Sequence, residues 1–375
     1  MRARVHSICL ILGLLRLLAP VWGAPEPPFP QVPPGLEYTC QRIGDVPWAI
    51  YVARVARAHP GFRFEATLGG GGRMGLGPVS AQVGAWPAGQ GVPLAAVNAD
   101  FFAMKGPYQG DPSGLQVVRG ELASIGDRDA FWVGRDGQPH VGPVRSQLQV
   151  TWPDGTVTPF GLNEARKDNA AVLYTPVFGA STHTAGGREL VLERDGQAPW
   201  LPVCAGQLLA ARVGEVRDAG NAALSPEALV LSLGPQLTAR LPGVAAGSVL
   251  RLSFATVPDL AGVETAVGGG PVLLSQGQAP DWGKEPLPRH PRTAIGWNET
   301  HYFLIVVDGR QKGLSAGMSF AELADLARRL GCTEALNLDG GGSSTLWLGG
   351  KVVNSPSDGH ERPVANALLL VAGER

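Results

Sequence analysis

The segment Asn337-Leu338-Asp339-Gly340-Gly341-Gly342-Ser343-Ser344 puts a carboxylate, three glycines and two hydroxyls within eight residues. A carboxylate beside a polarised carbon can serve as nucleophile or general base. Consecutive glycines let backbone N–H groups approach an anion closely, as anion-binding nests do. One or two glycines would suffice for a plain turn, so a run of three points to a ligand. Upstream, His290-Pro291-Arg292-Thr293 sets two basic groups before an apolar stretch, and a guanidinium is the natural partner of a phosphate or carboxylate. Asp308-Gly309-Arg310 adds an acid and a cation. Asp358-Gly359-His360-Glu361-Arg362 adds further charged groups, for which a solvated loop is the ordinary reading.

These residues need elements to hold them. Tyr302 to Val307 reads as a buried strand that ends at Asp308. Ser319 with Glu322 three residues on reads as a capping box, and Phe320, Leu323, Ala324, Ala327 and Leu330 recur at helical spacing until Gly331 closes the helix. Ala335 to Leu338 is a second short strand, ending at Asp339. Strand, helix and strand predict a C-terminal βαβ unit with parallel strands, which carries the Gly-rich loop. Both carboxylates would then leave the same edge of the sheet and face one pocket, lined by Asn98 and Ser343. Between about 112 and 275, short apolar runs alternate with turn signals, among them Pro153-Asp154-Gly155 between two strand-like runs. The fold class expected is α+β, as a single sheet-rich domain.

Composition narrows the function. Of 375 residues, 44% are hydrophobic and the formal charge is −1, which supports a large core and argues against a nucleic-acid partner. Arg2 and Arg4 precede an apolar stretch from Ile8 to Trp22 with small residues after it, the pattern of a cleaved secretory signal over 1–23. A Pro-rich linker is expected over 24–35 and the functional domain over 36–375. The protein is thus expected to be secreted or periplasmic, with no stable membrane insertion once the signal is gone. Cys40, Cys204 and Cys332 remain after the signal, enough for at most one disulfide. Gly70 to Gly75 fits G-x-G-x-x-G, but Gly77-Pro78 follows where a helix would have to open.

With N-A-D-F-F at 98–102, G-G-G-P at 268–271, H-P-R-T-A-I-G at 290–296, D-G-R at 308–310 and N-L-D-G-G-G-S-S at 337–344, the chain resembles the phosphodiester glycosidase family over roughly residues 90–372. It is closest in plan to simpler, exported bacterial members. The resemblance implies a hydrolase that cleaves the glycosidic C1–O bond of a sugar-1-phosphodiester. Asp339 is then the first catalytic candidate, with Asp308 or Glu361 as second carboxylate. Arg292, Arg310 and the amides of Gly340, Gly341 and Gly342 would hold the phosphate, while Asn98, Asp100, Thr293, Ser343 and Ser344 would bind substrate. The partner is a glycan or sugar phosphodiester, and neither cofactor nor metal is called for. Two other readings are a non-catalytic polysaccharide-binding protein and a metal-dependent phosphodiesterase. The latter would need a dense set of Asp and His ligands.

Overall fold

Strands of two to thirteen residues form three sheets, with few and short helices between them among the described residues. The computed structural model describes residues 32–373 apart from 45, 198, 242 and 284–287. The expected signal and residues 24–31 of the expected linker lie outside the described residues. All three sheets belong to one unit, Val32–Arg375.

The largest sheet has eleven strands. Within it, Val249–Val257 pairs with both Leu208–Arg217 and Pro139–Thr151, so that seven strands close on one another. Closure removes exposed edges and encloses a core that includes Trp152, Phe160, Leu190, Leu231 and Phe254. The turn at Pro153-Asp154-Gly155 forms as read: Thr151 pairs with Val157, and Trp152 N donates to Thr156 O at 2.8 Å.

The other two sheets carry the chemistry-bearing loops. One has five strands in the order Lys351–Val352, Leu346–Leu348, Val92–Asn98, Asn366–Ala372 and Phe62–Leu68. The second runs Leu36–Ile43, Trp48–Ala56, His301–Val307, Arg292–Trp297, Glu334–Asn337 and Val272–Leu274. Helix Phe320–Arg329 packs on this six-stranded sheet through Leu323, Ala324 and Ala327, in one core with Ile50, Val52 and Ile305. Its capping box is complete: Glu322 N donates to Ser319 Oγ at 3.2 Å, and Ser319 N to Glu322 Oε2 at 2.9 Å.

The two strands of the expected βαβ unit are not neighbours. His301–Val307 and Glu334–Asn337 are not paired with each other. Arg292–Trp297 lies between them and is antiparallel to both. The two strands therefore point the same way, one strand apart, roughly 10 Å at ordinary strand spacing. Asp308 and Asp339 leave the same sheet edge, with the start of Arg292–Trp297 between them. Among the described residues no helix is long and apolar enough to cross a membrane. Cys332 is buried as a small hydrophobe.

Candidate active site

Strand Glu334–Asn337 ends in a loop that turns back over its own sheet edge. Leu338 N donates to Thr293 O and Asp339 N to Ala99 O, each at 2.8 Å, so the loop is sewn to both neighbouring sheets. Asn98 is the main fastener. Its Nδ2 donates to Asp339 O at 2.6 Å, while its Oδ1 accepts from Thr293 Oγ1 at 2.8 Å and Thr345 N at 3.1 Å. Asn98 and Thr293 are fully buried, so both brace the loop rather than line an open cleft.

The Asp339 carboxylate is half-buried and accepts from Gly340 N at 2.9 Å. Burial raises its pKa, while Ser343, the Gly340 amide and the guanidiniums of Arg362 and Arg310 hold it down. The Ser343 hydroxyl faces this carboxylate. The hydroxyls of Ser344 and Thr345 are buried and unpartnered.

Two glycines let cations reach this carboxylate. Gly341 has φ +63°, and a Cβ there would stand 3.0 Å from Arg310 Nη1. A Cβ on Gly342 would collide with the Arg362 guanidinium and the Asp358 carboxylate. Arg362 is aimed by Asp358, whose Oδ2 accepts from its Nε at 3.0 Å and Nη2 at 2.8 Å. Arg310 itself sits at φ +60°, a strained conformation for a residue with a side chain, and is the kind of outlier that collects at ligand sites. Its Nη2 lies 3.3 Å from His290 Nδ1. Burial, then the charges of Arg310 and Arg292, lower the His290 pKa.

Several residues read as site groups have other duties. Arg292 donates from Nε to Met318 O at 2.8 Å and from Nη2 to Pro288 O at 3.2 Å, with its guanidinium 4.0 Å from the Phe320 ring centroid. Burial, then Arg310, lowers its pKa to about 10. Asp308 is 1% exposed. Its carboxylate accepts from Asn354 Nδ2 at 3.0 Å and Ser355 N at 3.0 Å, with the Tyr51 hydroxyl close by. It does not share a pocket lined by Asn98 and Ser343, because all three groups are enclosed. Glu361 accepts from Ser80 N at 2.9 Å in the first turn of helix Val79–Gly84. The amides of Gly340 and Gly341 are also taken, by Asp339 Oδ1 and by Pro291 O.

Asp100 has the opposite character. It is fully buried, accepts from Phe101 N at 2.8 Å and Gly114 N at 2.6 Å, and packs against Gly268. Burial pushes its pKa up to about 7, the Asp339 charge adding to the rise. Beyond it Asp111, one of whose carboxylate oxygens is buried without a partner, is pushed up to about 8 by burial and by Glu164 and Asp100. Among the described residues no three His, Cys, Asp or Glu side chains converge as a metal-ligand group. Clefts of about 530 and 700 Å³ lie elsewhere, one at the Tyr302 end of the six-stranded sheet and one beside Trp200.

The phosphodiester glycosidase family matches residues 209–371. The match takes in the C-terminal part of the chain. The matched segment contains Arg310, Asp339, the glycine loop, Asp358 and Arg362, whereas Asn98 and Asp100 reach it from outside. A hypothetical protein from Synechocystis shares the fold, with TM-score 0.70 and 20% identity over 90% of this chain and 62% of that one. A Burkholderia pseudomallei protein, named for expected export, superposes with TM-score 0.64 and 25% identity over 87% of this chain and 74% of that one. The SPbeta prophage-derived uncharacterized protein YomE of Bacillus subtilis (strain 168) is 41% identical over 83 residues, 22% of this chain. That stretch spans 13% of YomE, so this chain corresponds to a small part of it.

Sequence reasoning left Arg362 and Asp358 as a solvated loop. The signal was the charge-dense D-G-H-E-R itself, but nothing in it says that Arg362 folds back over Gly342.

Proposed function

We propose that this protein hydrolyses the bond between the anomeric carbon of a sugar and an oxygen of a phosphodiester, outside the cytoplasm. The observation that carries this reading is the Asp339 carboxylate set beside two guanidiniums, Arg310 and Arg362, on a loop whose glycines admit them. The match of residues 209–371 to the phosphodiester glycosidase family supports the same chemistry.

In this reading the phosphate sits against Arg310 and Arg362. Asp339 meets the anomeric carbon as nucleophile or as the base for water. The C1–O bond breaks, the phosphate monoester leaves with the bonding electrons, and the oxygen of water ends on C1. A phosphate monoester is a stable anion when paired with two cations, so the reaction needs no strong general acid. That suits a site in which Asp308 and Glu361 are held by the fold. Arg2, Arg4 and the apolar stretch after them support export.

Hydrolysis of a sugar-1-phosphodiester in ¹⁸O-labelled water is the test. The label is expected in the sugar; label in the phosphate would overturn the glycosidase reading in favour of P–O cleavage.

A further inference from the structure

The loop that bears Asp339 has two unlike flanks. Sheet order puts His301–Val307, and with it Arg310, on one side of Glu334–Asn337, and Val272–Leu274 on the other. The chain enters Val272–Leu274 through Gly268–Pro271, a turn tied directly to the site strand. Asn337 Nδ2 donates to Gly270 O at 2.7 Å, and Gly270 N to Asn337 O at 2.7 Å. Gly269 N in turn donates to Asp129 O at 3.0 Å, and a Cβ on Gly270 would lie 3.6 Å from Asp129 Oδ2. The next residue back, Arg128, is exposed and holds its guanidinium 4.9 Å from the centroid of the Phe101 ring. Its charge reaches Asp100, which Asp339 also reaches.

The flank away from Arg310 and Arg362 thus presents a half-buried aromatic ring, a guanidinium fixed over it and a half-buried carboxylate. A donor fork and an acceptor beside an apolar face are what a hydroxyl-rich ring requires: its hydroxyls both donate and accept, and its C–H face is apolar. A second phosphate site would not place Asp129 there.

We infer that Arg128 and Asp129 form the subsite for the glycosyl group, with Phe101 as the residue that positions Arg128, on the side of Asp339 opposite the phosphate-holding arginines. The inference rests on the proposed glycosidase reading and gives it a direction: sugar toward Gly268–Pro271, phosphate toward Arg310 and Arg362. The anomeric carbon then falls over Asp339, between the two.

Equilibrium binding separates this inference from the reaction. The wild-type protein is titrated with glucose, N-acetylglucosamine, mannose and, separately, inorganic phosphate, each followed by NMR or calorimetry. At least one sugar is expected to bind, tenfold or more weakly in Arg128→Gln and Asp129→Asn, with phosphate affinity changed less than twofold. Phe101→Ala should raise KM for a sugar phosphodiester with little change in kcat. Arg362→Ala should show the reverse pattern, losing phosphate and keeping sugar. If no sugar binds the wild type, or both rim variants bind it unchanged while their melting curves match the wild type, the subsite is overturned. Sugar binding lost at the rim without turnover of any diester would keep the subsite and sink the glycosidase reading.

Discussion

Asn98 and Asp339, 241 residues apart, are joined by a 2.6 Å hydrogen bond from the Asn98 side-chain amide to the Asp339 carbonyl. The same amide group receives Thr293 and Thr345, so one buried side chain ties the carboxylate's loop to two sheets. Asn98→Ala should cost about 2–4 kcal/mol, the sum of two or three buried hydrogen bonds and the orphans left behind. Urea unfolding would measure it. A midpoint equal to that of the wild type would show that the loop is held by other means.

Arg292 and Arg310 should separate in their effects. Arg292→Ala removes two bonds to backbone carbonyls and the cover over Phe320, and should destabilise by about 2–3 kcal/mol. Arg310→Ala touches an exposed side chain, and should leave the melting temperature nearly unchanged while weakening inhibition by inorganic phosphate tenfold or more. The opposite assignment of the two effects would return the phosphate to Arg292.

The glycine loop offers a steric test. Gly341→Ala meets both a φ of +63° and the Arg310 guanidinium, and should cost about 1–2 kcal/mol. Gly342→Ala would push Arg362 and Asp358 off the loop. Its turnover should fall at least a hundredfold with a smaller stability loss. Comparable turnover in Gly342→Ala, read by initial rates, would show that Arg362 is not held against the reacting phosphate.

Asp111 predicts a pH dependence. Its folded pKa of about 8 lies above the ordinary 3.8, so the folded chain binds more protons than the unfolded chain between those values. The stability contributed by this group is complete below about pH 4 and is lost as pH rises through about 8. Asp111→Asn should therefore stabilise the protein by roughly 1–3 kcal/mol at pH 9, allowing for partial exposure, and change little at pH 4. Denaturant midpoints across that range decide it. A constant difference at both ends would rule out titration as the cause.

Asp308 and Glu361 should behave as structural acids. Asp308→Asn keeps the shape but faces Asn354 Nδ2 and Ser355 N with a weaker acceptor, and should lower stability by about 1–3 kcal/mol. Glu361→Gln should lower it by less than about 1 kcal/mol, since an amide oxygen can still accept from Ser80 N. Both should keep kcat within tenfold, whereas Asp339→Asn should lose it. A loss in Asp308→Asn as complete as that in Asp339→Asn would restore a second catalytic carboxylate.

Short-range rules determined much of this protein from sequence alone. The Ser319–Glu322 capping box, the turn at Pro153-Asp154-Gly155, the strands that end at Asp308 and Asp339, and the glycine run beside a carboxylate all follow from residues a few positions apart, where chain geometry leaves little choice. Partnership between distant segments was decided only by the tertiary structure. Insertion of Arg292–Trp297 between the two parallel strands is a matter of sheet order, which no local pattern encodes. The same holds for side-chain direction. Asp308 and Asp339 each follow a strand and precede a glycine, yet one turns into Asn354 and Ser355 and the other toward Arg310 and Arg362. A charged side chain goes wherever the fold supplies its counterpart, and those counterparts come from loops whose positions only the packed sheets set.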